Sequence, residues 1–250
     1  MSNLKANYKI VAIGDIQMQT IQNSQTEKIL AQNRDAIEQI WQKTLNEKGG
    51  KLFNGTLPNF IRVDKKKDRI EIIGHFIEYK HFLAQRKQPD LKLGIRPIGV
   101  SGIIVLEENG NKYVVFAKRT NNITQYPGFF ELVPSGSIDK ECADVNGIVD
   151  YQSKLLSEFV EETGLSKNYV KEISGFAFVL DVSDNVYDIC CKILLEAKKE
   201  LVVAEFSSKE YNKPVFVAMN DLDSFIKTNF DSIVPTTVAL IEAYVQSIKD

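Results

Sequence analysis

The chain has 250 residues, with 31 basic against 33 acidic side chains and a formal charge of −2. That near balance excludes a polyanion binder working through bulk charge, so a phosphate ligand needs a local site and no nucleic-acid partner is expected. Apolar residues at 44% and charged residues at 26% exclude wholesale disorder, and the length suits one large α/β unit or a core with an annex.

In chain order, residues 8–13 form a β-prone run, and the Gln-rich stretch 17–25 reads as loop. Asn33 is placed to cap a helix running to about residue 48, because Ile37, Ile40, Trp41 and Leu45 fall at helical spacing and Gly49-Gly50 stop it. At that spacing Trp41 reads as core. Apolar runs on either side of Asp64-Lys65-Lys66-Lys67-Asp68 predict a hairpin over 60–76, with a short helix over 76–86. Arg96-Pro97 is a break, after which two apolar runs bracket Asn109-Gly110, a two-residue hairpin signal. We draw the boundary there, between an N-terminal α+β extension (1–95) and a second unit (96–250). Turn formers between 121 and 136 and a further loop at 138–150 lead to a helix over 151–163, ended by Gly164. Strands near 173–181, 187–196 and 213–218 and helices over 218–227 and 238–248 complete the chain.

The densest acidic signature is Ser157-Glu158-Phe159-Val160-Glu161-Glu162-Thr163-Gly164-Leu165. At about 100° per residue, Glu158, Glu161 and Glu162 gather on one side of the helix while Leu156, Phe159 and Val160 project from the other. Like charges at these spacings repel, so a fold that gathers them calls for a cation, and hard carboxylate oxygens suit Mg²⁺ or Mn²⁺. Taken alone, the same pattern describes a solvated helix face.

Arg119, then the Y-P-G-F-F-E-L-V-P-S-G segment of residues 126–136, then the acidic helix ending E-E-T-G-L, resembles the Nudix (MutT-like) hydrolases, whose box reads G-x5-E-x7-R-E-U-x-E-E-x-G-U with U a bulky aliphatic. The match falls on Gly136, Glu158, Phe159 (aromatic where an aliphatic is usual), Glu161, Glu162, Gly164 and Leu165, and the resemblance covers roughly residues 98–250. Two departures stand out. About seven residues are inserted around 142–150, which leaves Glu141 without the role of the box's first glutamate, and Ser157 stands where the family has arginine. The resemblance implies an α/β fold, the Nudix α/β/α sandwich with a mixed sheet, to which the N-terminal α+β extension is added. It also implies metal-assisted attack of water on a phosphorus of a nucleoside diphosphate-linked small molecule. Glu161 and Glu162 would be the main Mg²⁺ ligands, with Glu158 a further ligand or the base and the carbonyl of Ser135 or Gly136 completing the site. Asp188 would add a carboxylate from a later strand. Arg119 would pair with a substrate phosphate or else form a salt bridge, and Tyr126, Phe129 and Phe130 would wall the substrate pocket or pack the loop.

The extension carries a looser resemblance, to the nucleotide-sugar branch of that family, which includes UDP-glucose and UDP-galactose pyrophosphatases. It rests on Ile40-Trp41, Leu52-Phe53-Asn54-Gly55, the hairpin, Tyr79-Lys80-His81-Phe82 and the stretch from Gly94 to Gly99. It implies a nucleotide sugar such as UDP-glucose, split to UMP and a sugar 1-phosphate. ADP-ribose, another nucleoside diphosphate, and a ligand-sensing module without turnover stay open. Other constellations fail: no phosphate loop or nucleophile elbow is present, and His75 and His81 both precede the second unit. Three cysteines (Cys142, Cys190, Cys191) make neither a disulfide framework nor a zinc site, and no apolar run is long enough to span a bilayer. The expectation is a cytoplasmic monomer or homodimer with no membrane partner.

Overall fold

The computed structural model describes residues 7–123 and 125–249. The chain runs through β1 (Tyr8–Ile13), β2 (Ile16–Thr20), α1 (Ser24–Gln32) and α2 (Arg34–Glu47), then the hairpin of β3 (Thr56–Lys65) and β4 (Ile70–Glu78), and α3 (Tyr79–Lys87). After the break at Pro97 come β5 (Ile98–Glu108), β6 (Asn111–Arg119), the short β7 (Phe130–Leu132) and β8 (Ser135–Ser137), and α4 (Tyr151–Thr163). β9 (Val170–Asp181), β10 (Val186–Leu195), α5 (Lys199–Glu205), β11 (Tyr211–Ala218), α6 (Leu222–Asn229) and α7 (Pro235–Ser247) follow.

Two mixed sheets result. The larger has the order β1-β9-β10-β5-β6-β11, with β7 paired to β6 and β8 to β5; β10 and β5 run parallel and the other pairs antiparallel. The smaller has the order β2-β4-β3. Asn109 and Gly110 both take positive φ (52° and 77°), the geometry of a two-residue hairpin turn whose twist matches its strands.

Helices cover both faces of the larger sheet because its strands alternate without a polar side. Ile104, Leu106, Val115, Ala117, Ile189 and Cys191 face α4 and the smaller sheet, whereas Ile103, Val105, Val114, Phe116 and Cys190 face α6 and α7. The result is the expected α/β/α sandwich. Phe159 of α4 is fully buried in the first of these layers. Phe159→Ala should lower the unfolding free energy by about 3–5 kcal/mol in urea titrations.

Four local features depart from the sequence reading. Residues 16–20 are a strand, since Ile16 and Met18 point into the core while Gln17 and Gln19 point out, and Asn23 caps a helix over what was expected to be loop by accepting from the Thr26 N–H at 3.1 Å. Asn33 precedes α2 but makes no side-chain cap; it closes α1 instead, donating from Nδ2 to the Ile29 carbonyl at 2.9 Å. The short α5 has too few turns to show a period. Finally, β1 lies in the larger sheet, paired with β9, so a boundary at 95 leaves this strand on the far side of its own partners. Trp41 is buried, its ring edge-on to Tyr79 at 6.4 Å, in agreement with a core role.

Candidate active site

The buried stripe of α4 is Tyr151, Leu155, Phe159 and Thr163, four residues apart at each step. Glu158 and Glu162 each stand one position before a buried residue, which sets them at the lip of the stripe, half-buried; Glu161 lies about 200° round from Phe159 and is exposed. The stripe also corrects one sequence expectation, because Val160 is 40% exposed and not core. The helix starts at Asp150, whose carboxylate accepts from the Ser153 N–H at 2.9 Å, and stops at Gly164, where φ is +69° and a Cβ would sit 2.6 Å from the Ser207 carbonyl oxygen.

Glu158 and Glu162 meet β8. The Ser135 N–H donates to Glu162 Oε1 at 3.2 Å, whereas Glu162 Oε2 is buried with no hydrogen-bond partner. Burial pushes the Glu162 carboxyl up to about 8; the Ser135 N–H opposes this, and the nearby Glu158, Glu131 and Glu210 carboxylates add to it. Glu158 Oε1 is held by Lys154 Nζ at 2.8 Å, and the Glu158 side chain lies against Gly136, where a Cβ would come within 2.6 Å of Cγ. Gly136→Ala should therefore drive Glu158 off this position and cut turnover by about 10- to 100-fold, with little change in melting temperature, in steady-state kinetics paired with thermal melts.

Asp188 sits elsewhere. In β10 it is in register with Gly99 of β5, half-buried, and accepts from Ser101 Oγ at 3.2 Å. Burial raises its carboxyl to about 7. Strand alternation turns it to the α7 side, where it lines a cavity of about 350 Å³ with Ser135, Gly136, Glu131 and Thr237, and so away from Glu158 and Glu162. Among the described residues no three His, Cys, Asp or Glu side chains converge to hold a metal. A hard divalent cation still fits Glu158 and Glu162, because Mg²⁺ is commonly bound through one or two carboxylates plus substrate phosphates, and the unpartnered Glu162 oxygen is left for such an ion.

Arg119 pairs with Glu131, donates from Nε to the Gln125 carbonyl at 3.1 Å and lies over the Tyr211 ring; the Tyr211 hydroxyl donates to Glu131 Oε2 at 2.9 Å. Tyr126, exposed and at φ 49°, has its ring 5.5 Å from that of Phe129. Arg119 and Tyr126 line a second cavity of about 380 Å³, together with Tyr8 and Asp181. Phe130 follows the packing alternative: its ring lies 5.2 Å from that of Phe225 of α6, in the core layer behind the sheet. Sequence reasoning missed Lys154, Glu131, Tyr8 and Asp181. Only Lys154 left a local signal, four residues before Glu158; the others reach the site through strand pairing. His81 is spent at the N-terminus of α3, accepting the Glu78 N–H at 3.1 Å, and His75 Nδ1 lies 3.0 Å from the Ile21 carbonyl.

No protein-family model and no curated protein matches this sequence. Solved structures do resemble the fold. The NUDIX domain of Shewanella oneidensis NrtR, complexed with ADP ribose, is 14% identical and aligns over 60% of this chain and 87% of that one, with a TM-score of 0.43. DR0079 from Deinococcus radiodurans is 11% identical over 76% and 99% of the two chains, at 0.46, and a C. elegans Ap4A hydrolase is 14% identical over 61% and 97%, at 0.38. These are likenesses of chain path alone. No helix among the described residues is long and apolar enough to cross a membrane.

Proposed function

We propose that this chain is a Nudix-type hydrolase that uses Mg²⁺, or Mn²⁺, to cleave the diphosphate bond of a nucleoside diphosphate-linked small molecule, with a nucleotide sugar such as UDP-glucose as substrate. The observation that carries the reading is the Glu162 carboxyl, buried beside Glu158 with one oxygen unpartnered and, among the described residues, no cation of its own, Lys154 being taken by Glu158 and Arg119 by Glu131. Such an arrangement is costly for the folded chain unless a cation occupies it. The E-x-x-E-E-x-G-L segment that supplies it is the one that resembles the Nudix box.

In this reading Glu158 and Glu162 hold the cation, with the Ser135 or Gly136 carbonyl beside them and Glu161 reaching in from the exposed side of α4. When bound, the metal would neutralise phosphate charge and lower the pKa of a water ligand. The chain does the positioning. Lys154 fixes Glu158 from one side and Gly136 from the other, while the Ser135 N–H fixes Glu162. Ser135 and Gly136 also line the cavity shared with Asp188 and Glu131 on the α7 side, so a diphosphate passing the end of the short β8 would reach that space. The protein would act as a cytoplasmic monomer or homodimer on a small molecule, with the 1–95 extension helping to shape the substrate pocket and the 96–250 unit carrying the glutamates.

Chromatography of the products from UDP-glucose and Mg²⁺, with ADP-ribose in parallel, tests it. UMP and glucose 1-phosphate are expected, since cation-holding carboxylates make phosphorus the electrophile. Release of UDP and free glucose would overturn the chemistry. Faster cleavage of ADP-ribose would overturn the sugar nucleotide and leave the pyrophosphatase standing.

A further inference from the structure

The cavity of about 380 Å³ lined by Tyr8, Arg119, Tyr126, Asp181 and Asp184 adjoins the cavity against β8, since Glu131 and Thr236 line both. Its charges do not balance. Arg119 is matched by Glu131, and Asp184 is met by Arg86 at 3.3 Å. Among the described residues Asp181 has only neutral partners in its hydrogen bonds: Oδ2 accepts the Tyr8 hydroxyl at 3.1 Å, and Oδ1 accepts the backbone N–H groups of Ser183 at 2.8 Å and Asp184 at 3.2 Å. Three donors fix this carboxylate without cancelling its charge. It therefore accepts further hydrogen bonds from hydroxyl groups and repels anions.

We propose that this cavity takes the neutral, hydroxyl-rich ring of the substrate, and that Asp181, held by Tyr8 from β1, selects a neutral sugar over an acidic one. The inference rests on the pyrophosphatase reading in one respect, that a diphosphate against β8 places a ring next door. Size agrees, because the volume lies in the range of pre-formed small-molecule sites and exceeds a single hexose. Arg119 does not reverse the sign, its guanidinium being engaged by Glu131 and the Gln125 carbonyl.

UDP-glucose and UDP-glucuronate differ only at C6, a hydroxymethyl in one and a carboxylate in the other, so their affinity ratio reads the charge of the hexose site. Calorimetric binding in Mg²⁺ to the Glu162→Gln variant avoids turnover. UDP-glucose should bind at least about tenfold tighter, the scale of one hydrogen bond to a charged group. Asp181→Asn, which keeps an acceptor for the backbone N–H groups, should bring the ratio close to one, and Tyr8→Phe should move it part of the way. A third arm, 2′-deoxy-UDP-glucose, identifies which ring is read: an Asp181→Asn effect that appears only against this nucleotide places the ribose in the cavity and overturns the selection between hexoses. Equal binding of the glucose and glucuronate forms with no Asp181 effect in any arm overturns it, as does binding of none of the three. Binding in the predicted order, with no turnover by the wild-type protein, would instead remove the hydrolase reading and leave the selective cavity in place.

Discussion

Glu162→Gln is expected to lower kcat by about 10²- to 10⁴-fold, roughly 3 to 5 kcal/mol of barrier, while the fold holds or gains stability. Glutamine keeps an acceptor for the Ser135 N–H and removes a carboxyl whose ionisation burial and three neighbouring carboxylates oppose. The same carboxyl predicts a pH dependence in metal-free protein. It stays protonated in the fold up to about 8 but ionises near 4.5 when the chain unfolds, so the folded state binds the extra proton between these values. Stability is thus fully present below about 4.5 and is lost as pH rises through 8. Asp188, raised to about 7 from 3.8, acts in the same direction. Urea titrations in a chelator at pH 5, 7 and 9 should show falling stability. The slope should be reduced in the glutamine variant, with the residual slope assigned to Asp188, and Mg²⁺ should raise the wild-type value at pH 9. Near-wild-type turnover in Glu162→Gln would remove the cation assignment.

Removing residues 1–95 should abolish cooperative folding, although every glutamate of α4 remains in the shortened chain. Met18 and Ile72 from the smaller sheet are fully buried in the same layer as Leu155 and Phe159, and the Phe60 ring stacks 4.2 Å from Tyr187 and 5.6 Å from Phe178. Each large side chain uncovered forfeits about 1.5–3 kcal/mol, and a handful of them matches the 5–15 kcal/mol by which a domain is stable. The inserted loop loses its footing as well, since the Thr20 N–H donates to the Gly147 carbonyl at 2.7 Å and the Val149 N–H to the Met18 carbonyl at 3.0 Å. Calorimetry should show no sharp transition, with bound hydrophobic dye already high at 25 °C. A sharp melt in the truncated protein would mean that the 96–250 unit stands alone.

What was legible in the sequence follows the range of the signal. The span of α4 was readable because its apolar residues and its Gly164 stop are local, although Val160 fell outside the buried stripe. The set Glu158, Glu161 and Glu162 was readable for the same reason, but the expectation that Glu161 and Glu162 lead was not enough to tell that Glu158 and Glu162 are the two that meet β8. β2 carried its alternation openly in I-Q-M-Q-T, but a cluster of glutamines masks a two-residue period when the apolar members number only two. Asp188 and Phe130 owe their place on the α7 side of the sheet to strand alternation. One step along a strand exchanges one face of the sheet for the other, and nothing near either residue says which face holds the chemistry. Glu131 and Asp181 needed pairings made across the sheet, Asp181 with a strand at the other end of the chain.

That last pairing sets an order of events during synthesis. β1 emerges from the ribosome long before its partner β9, which lies more than 150 residues later, Tyr8 and Asp181 being 173 positions apart. At about 5–20 residues per second the nascent strand waits roughly ten seconds or more for an edge to pair with. During that interval its Ile10, Val11 and Ile13 are free to join a neighbouring chain instead. The larger sheet closes by a contact of long range, which slows folding relative to a chain of local hairpins. Yield in a cell should accordingly depend on temperature and on holdase chaperones more than the purified protein's melting point would suggest, with β1 as the segment those chaperones must shield.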